Sequence, residues 1–491
     1  MNAAVTREVR EVPWAPGHRG PLGHLPLLRR GLLPALLKLG AAGPMVRARL
    51  GTTTVYVVSD GDLTHEVLAD RAAAFGRERV ARGMREAMGD GLFTVEAEIH
   101  RERRRIVQPA FGRASLAATA PLMCRVASDV AGQWPVRTAF DVGDEALKLS
   151  TALTVRALFR SEASTEWVAR LVGSGAMLSK GTRLRGVAPR WYSRVPTPGN
   201  LAYRRAVRLL REALEALYAH HAPPACGGDL LSLLNRAACP GEGTAGEGTP
   251  REGTADEGTP PDGTPRDGTP GITRATVLDE MATFFLAGVG TTGRAVAWAC
   301  HELAANHRLE EAVQREADAL FLSGRPLPTS VLDALPLTSR VISEVLRLYP
   351  VPVLPREALR EVTVGGFRLP RGAVVVLNLY AMHRDPAVYP HPSAFDPDRW
   401  SPDAPHPVPR TAYLPFGAAA HRCVGAPFTS LAAPVALAAI ATRFRLRPAD
   451  PHRPVRAVGG VTTFPDRLLM TATPRTGANG RAAGLLSPGR G

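Results

Sequence analysis

At 491 residues, 45% hydrophobic and 21% charged, the chain is long enough for two or three ordinary domains or for one large enzyme unit, with the composition of a soluble globular protein. Its formal charge of +15 comes almost wholly from arginine, the lysines being Lys38, Lys148 and Lys180. Such a charge attracts anionic partners at long range, but no interleaved run of basic and aromatic residues forms a nucleic-acid platform, so nucleic acid is excluded as a partner. Five scattered cysteines (Cys124, Cys226, Cys239, Cys300, Cys423) give no disulfide framework and suit a reducing cytoplasm.

In chain order, residues 1–12 read as a flexible N-terminus and Pro13 to Pro26 as a Pro/Gly-rich leader. A short amphipathic helix follows near Leu32 to Leu39; the Leu25 to Leu39 stretch is broken by Arg29, Arg30, Pro34 and Lys38 and is too short and charged to cross a bilayer. Met45 to Leu50 and Thr53 to Val58 alternate about Gly51, which predicts a hairpin. Helical periodicity takes over from about Leu63. Within the arginine-dense Ala97 to Ala110 segment, His100 and Arg104 fall one helical turn apart and share a face, suited to clamping one acid or to a solvated basic face.

Residues 240–271 differ in kind. Glu-Gly-Thr begins at Glu242, Glu247, Glu252 and Glu257, and Asp-Gly-Thr at Asp262 and Asp267, a five-residue period with no apolar face to bury. A disordered insertion is expected there, either at a domain boundary or within one domain. The pattern from Ala275 to about Asn306 is apolar on nearly every side around Met281 to Thr292, as in a helix buried through a core. Its Ala287-Gly288 and Gly290-Thr291-Thr292 are poor helix formers that admit either a ligand or a tight helix crossing. A further helix, Val341 to Tyr349, carries Glu344 and Arg347, a charged pair that needs buried partners. Strand-like Val362 to Leu369 and Ala373 to Leu377 come next, then the loop Phe395 to Trp400, and residues 475–491 read as a flexible tail.

Pro415 to Phe428 holds the most chemistry. Cys423 precedes a Gly425-Ala426-Pro427 step that opens an alanine-rich helix, and a sulfur near a helix N-terminus favours a thiolate. With no second cysteine nearby, zinc and iron–sulfur sites are excluded, leaving haem iron or a small buried hydrophobe.

Together these segments, in this order and spacing from about residue 13 to residue 474, resemble the cytochrome P450 family of haem-thiolate monooxygenases. The motifs are the Cys423 loop, Glu344-Val-Leu-Arg347, Phe395-Asp-Pro-Asp-Arg399-Trp, Ala287-Gly288-Val-Gly-Thr291-Thr292, and His100 with Arg104. The resemblance implies a mainly α fold with small β-sheets in a single triangular-prism-like domain. It implies haem b, with Cys423 as proximal ligand, Phe416 beside the sulfur and Gly425 leaving room under the porphyrin. His100, Arg104, Arg356 and His421 match the positions that hold the haem propionates. Ala287 and Gly288 would make space for oxygen, Thr291 would deliver protons, and Glu344, Arg347 and Arg399 would brace the Cys loop as a structural network. Two departures stand out: Gly290 where the family usually has an acid, and Ala419 where it usually has glycine. The first removes a proton relay and implies impaired coupling; the second costs about 1 kcal/mol if that position needs positive φ.

By the same resemblance, electrons from NAD(P)H would arrive through a separate ferredoxin reductase and ferredoxin, docking on a basic face with Arg101, Arg103, Arg105 and Arg422 as candidates. A cytoplasmic monomer is expected. Pocket positions fall at Phe75 to Phe93, Trp191 to Asn200, Ala287, Val289, Val351 to Leu354 and Val461 to Phe464, mostly apolar, which implies O2-dependent oxidation of a neutral hydrophobic substrate. The His100 to Phe111 and Arg194 to Asn200 runs are similar to those of bacterial terpene-hydroxylating members. A peroxide-using or rearranging haem-thiolate enzyme and a non-catalytic haem-binding relative are the alternatives.

Overall fold

The computed structural model describes residues 9–475 apart from 18–19, 21, 96, 162–166, 168–169, 176–177, 179–193, 222–227, 239–271, 324–326 and 329. The pentapeptide array, Trp191, and all but the first residue of the expected C-terminal tail lie outside the described residues. Pairing begins before Pro13: strand β1 (Arg10–Glu11) runs parallel to Phe367–Arg368.

β2 (Met45–Leu50) and β3 (Thr53–Val58) form the expected hairpin, in register from Met45 opposite Val58 to Leu50 opposite Thr53, with Gly51 at φ 63° in the turn. This ribbon edges a five-stranded sheet in the order β2-β3-β9-β6-β4, completed by β4 (Phe75–Gly76), β6 (Leu354–Ala358) and β9 (Val374–Leu377). Because Gly76 pairs with Glu357, the sheet brings the residue after β4, Arg77, to the neighbourhood of Arg356. The sequence expectation of one strand from Val362 to Leu369 is corrected: two strands, β7 (Val362–Val364) and β8 (Phe367–Leu369), turn back on each other at Gly365 and Gly366, both at positive φ. A turn that only glycine adopts freely was hidden inside a β-branched run.

The helices make the bulk of the molecule. In chain order, those used below are α1 (Leu32–Gly40), α2 (Glu78–Met88), α3 (Ala97–Val107), α4 (Val142–Leu153), α5 (Pro198–Ala219), α6 (Arg274–Ala305), α7 (Pro336–Leu348) and α8 (Ala426–Arg443). α6 starts where Thr273 caps it by accepting from the Thr276 N–H, and it packs against α4, α5, α7 and α8. One contiguous apolar core runs from Ala87 to Ala472 through α2 to α8, as a single domain requires, while α1 packs in two smaller clusters. Among the described residues only α8 is long and apolar enough to cross a membrane, and 83% of that helix window is buried inside the protein.

Candidate functional site

Cys423 sits two residues before the N-cap of α8. Its N–H donates to the Phe416 carbonyl at 2.9 Å, which closes the loop, while Gly417 takes φ 69° and Ala419 takes φ 52° to make the turn. The strain anticipated at Ala419 is therefore present: alanine holds a left-handed conformation. A Cβ on Gly425 would come 3.9 Å from the sulfur and 3.9 Å from the Phe111 ring, so glycine keeps the space beside Cys423 open. The cysteine is exposed by contact area, yet protein surrounds it closely enough that burial pushes its thiol up. Both facts hold if the sulfur faces a recess within the molecule. Desolvation, the larger effect, pushes the thiol up, while the N–H groups of Gly425 and Ala426 and the cations Arg104 and Arg422 pull it down.

Behind the loop lies a buried polar scaffold. Glu344 and Arg347, on α7 and fully buried, join side by side with Arg347 Nε and Nη2 at 2.9 and 2.7 Å from the carboxylate. The remaining guanidinium donors reach the carbonyls of His383, Pro392 and Ala394, and Glu344 accepts from the Asp396 N–H and from Trp400 Nε1, both at 3.0 Å. Arg399 approaches the same carboxylate at 3.4 Å. Both partners are thus satisfied, the condition under which a buried pair is tolerated. The Trp400 ring packs on Tyr413 at 4.2 Å, and His383 Nε2 accepts from the Leu414 N–H, so the scaffold ends one residue before Pro415. His383 and Tyr413 were not marked in the sequence; a lone buried histidine carries no periodic signal.

Beside the recess the basic residues gather. His100, on α3, is buried with its ring 5.1 Å from that of His421, and Arg104 Nη1 donates to the Arg422 carbonyl at 2.7 Å. Burial lowers His100 to about 3, with Arg77, His421 and Arg104 adding to the shift. It lowers His421 to about 4, with Arg77, Arg356 and Arg104 adding, and Arg356 to about 10, with Arg77 adding. The four propionate candidates do converge, and the neighbours that perturb them are one another and Arg77, which sequence reasoning missed. Only the β4–β6 pairing, invisible in a linear reading, could have found it. With no anion beside them, the two histidines, expected as cations, are pushed toward the neutral form by burial first and by the surrounding like charges second.

Haem iron with two carboxylates fits these residues on three counts. An open space lies beside a lone sulfur, a cluster of cations calls for an anion, and His421 Nδ1 is a buried polar atom with no partner in the protein.

α6 crosses on the other side. On a helix buried nearly throughout, Ala287 is exposed and Gly288, Gly290 and Thr291 are half-buried, so the small-residue patch opens onto free space. Thr291 Oγ1 donates to the Ala287 carbonyl at 3.1 Å. A Cβ on Gly288 would meet only Thr154, at 3.9 Å, so there is room beside Gly288 as well as at Ala287. Val289, expected to line the pocket, is buried in the main core instead, because it points from the opposite side of the helix. Arg103 is corrected as well: rather than a surface cation, it is a buried partner of Glu280 at 3.3 Å, whereas Arg101, Arg105 and Arg422 are exposed.

Fold and site together describe a largely helical single domain in which a lone cysteine loop lies beside a cluster of cations. The chain belongs to the cytochrome P450 family, whose model, Cytochrome P450, matches residues 22–159 and 263–470. It is 32% identical to cyclooctat-9-en-7-ol 5-monooxygenase of Streptomyces melanosporofaciens over 89% of this chain and 91% of the relative. It is 29% identical to pentalenene oxygenase of Streptomyces avermitilis over 94% and 97%. The fold superposes on the crystal structure of the cytochrome P450DA heme domain with a TM-score of 0.74, at 22% identity, over 96% of this chain and 99% of that one. The protein is accordingly a P450 monooxygenase, an enzyme class that uses haem iron and O2.

Proposed function

We propose that this monooxygenase inserts one oxygen atom into a neutral hydrophobic terpene skeleton, using haem b held by Cys423 and electrons from NAD(P)H relayed by a separate ferredoxin reductase and ferredoxin. The observation that carries the reading is the convergence of Arg77, His100, Arg104, Arg356 and His421 next to the cysteine loop, a basic edge matched to a dianionic cofactor. When bound there, haem supplies the redox-active iron at which O2 is reduced. The chain's own residues do the rest. Gly425 keeps the space beside the sulfur open, and Glu344, Arg347 and Arg399 fix the loop without touching the reaction. Thr291, tethered to the Ala287 carbonyl, holds a hydroxyl at the open patch of α6 from which a proton can be passed. Gly290 offers no acid to refill that hydroxyl, so water has to do so and coupling is impaired.

The terpene assignment rests on the relatives' names and on the apolar pocket segments. The exposed Arg101, Arg105 and Arg422 form the docking face for an acidic ferredoxin, and the enzyme works in the cytoplasm as a monomer. The test is a difference-spectrum screen of the purified holoenzyme against terpene hydrocarbons and fatty acids, together with the carbonyl-ferrous spectrum of the parent and of Cys423→Ser. A ligand-induced shift with terpenes and loss of the thiolate band in the variant are expected. An unmoved carbonyl band in Cys423→Ser refutes the ligand assignment, and shifts with fatty acids alone refute the terpene one.

A further inference from the structure

The segment that continues α4 ends on a strained residue. After the wide helical turn Thr154–Leu158, the Phe159 and Ser161 N–H groups donate to the carbonyls of Thr154 and Val155, both at 3.1 Å, and close the helix end. Between them Arg160 takes φ 48°. Helices that stop in the left-handed region usually carry glycine there, because a Cβ is strained in it. The backbone alone thus favours glycine, and the arginine calls for an explanation in what its side chain meets.

Its side chain meets a cavity. Half-buried Arg160 lines a space of about 230 Å³ whose walls are mostly apolar, among them Leu116, Ala157, Leu158, Leu230 and Phe428, with exposed Ala118 at the mouth. Among the described residues the guanidinium makes one hydrogen bond, from Nη2 to the Thr119 hydroxyl at 3.3 Å, and its enclosed Nε has no acceptor. The acid in the lining, Asp229, is occupied elsewhere: His221 Nε2 and the Leu231 N–H lie 3.0 Å from its Oδ1, the Ser232 N–H lies at 3.1 Å, and the Ser232 hydroxyl donates to Oδ2 at 2.5 Å. A cation with donors to spare on one wall of an apolar space suits an anionic head on a hydrophobic body. An apolar cavity of about 150 Å³ admits benzene, so this one has room for a ring of that size and a carboxylate besides.

We propose that this cavity is a second ligand site, which binds a small carboxylic acid with an apolar body and holds its carboxylate on Arg160. No residue of α6 or of the Cys423 loop lines it, so the molecule it holds is an effector and not the one oxidised. It does adjoin the elements around the cysteine. Phe428 stands on α8 five residues beyond Cys423, and the lining residue Ala110 precedes Phe111, the ring that a Cβ on Gly425 would approach at 3.9 Å.

The experiment is a calorimetric titration of the holoenzyme with phenylacetate, with the neutral phenylacetamide of the same shape, and with acetate, which has the head without the body. Each is run with and without an iron-ligating azole that fills the substrate pocket, on the parent, Arg160→Gly and Ala118→Phe. The parent is expected to bind phenylacetate roughly tenfold or more tighter than either other probe, unaffected by the azole, as a charge-assisted contact requires. Arg160→Gly loses that preference while keeping the carbonyl-ferrous band of the parent, since glycine suits the backbone there. Ala118→Phe leaves the guanidinium in place but blocks the mouth, and weakens phenylacetate by a similar factor. The proposal is overturned if the parent binds phenylacetate no better than its amide, if either variant binds it as tightly as the parent, or if the azole abolishes binding.

Discussion

Replacing Ala419 by glycine stabilises the cysteine loop. Ala419 has φ 52°, in a turn where Gly417 has φ 69°, and it is exposed, so removing its methyl opens no cavity. A left-handed conformation costs a residue with a Cβ roughly 1–2 kcal/mol. Glycine escapes that cost but returns about 0.4–1 kcal/mol through its greater freedom in the unfolded chain. The difference, about 0.7 kcal/mol, corresponds to roughly a threefold longer lifetime if the strain is relieved when the loop opens. Ala419→Val moves the other way, because a β-branched side chain fits the left-handed region worse than alanine does. The assay is the decay of the carbonyl-ferrous band of the holoenzyme at one elevated temperature, a rate that stays meaningful when unfolding is irreversible. The order glycine slowest, alanine intermediate, valine fastest is expected. A glycine variant that decays faster than the parent, or a valine variant that matches it, refutes the claim that backbone strain at this position governs the loop.

Arg77→Leu removes the cation that perturbs His100, His421 and Arg356; a lost charge-assisted hydrogen bond of roughly 1.5–3 kcal/mol predicts haem transfer to an acceptor globin at least tenfold faster, and an unchanged rate places Arg77 outside the cofactor site. Glu280 is buried and raised to about 7 by desolvation, although Arg103 and the Leu92 N–H oppose the shift. Between its ordinary value near 4.5 and 7 the folded state holds the extra proton, so this group makes stability fall as pH rises through that window. Glu280→Gln removes the slope, at lower stability overall, and identical slopes in urea titrations across the window count against the assignment. Gly290→Glu places a carboxylate four residues before Arg294, whose Nη1 already borders the site; peroxide released per NADPH is expected to drop, and a value equal to the parent's speaks against a missing relay. Reversing the charge of Arg105 and Arg422 together should abolish the salt dependence of reduction by ferredoxin, whereas a retained dependence moves docking elsewhere.

Local chemistry was legible from the chain. The hairpin about Gly51 appears at the expected residues, α6 within one residue at each end, and Glu344 with Arg347 as a buried pair, because periodicity, turn glycines and a charged pair in an apolar helix are all local signals. What escaped depends on which distant segments meet. Arg77 matters because β4 pairs with β6, Arg103 is withdrawn from the surface because Glu280 on α6 faces it, and Val289 is lost to the core by the phase of its helix. In a basic run such as His100 to Arg105 the sequence marks which residues share a face, but the packing of α3 decides which charge is buried.

The prevalence of arginine over lysine has a consequence at the recess itself. Arg77, Arg104 and Arg356 crowd one another and are partly desolvated, and even Arg356, lowered to about 10, keeps its charge at pH 7. A lysine starts about two units lower and loses its proton far more readily when buried beside like charges. His100 and His421 are lowered to about 3 and 4, by burial first and then by the neighbouring arginines. The edge thus gathers three guanidinium charges, an arrangement suited to a dianion with positive charge to spare. That residual charge, with Arg104 and Arg422 close to Cys423, favours the thiolate whose formation burial alone opposes. Arg104 belongs to both sets, so one guanidinium serves the cation cluster and the sulfur of Cys423 alike.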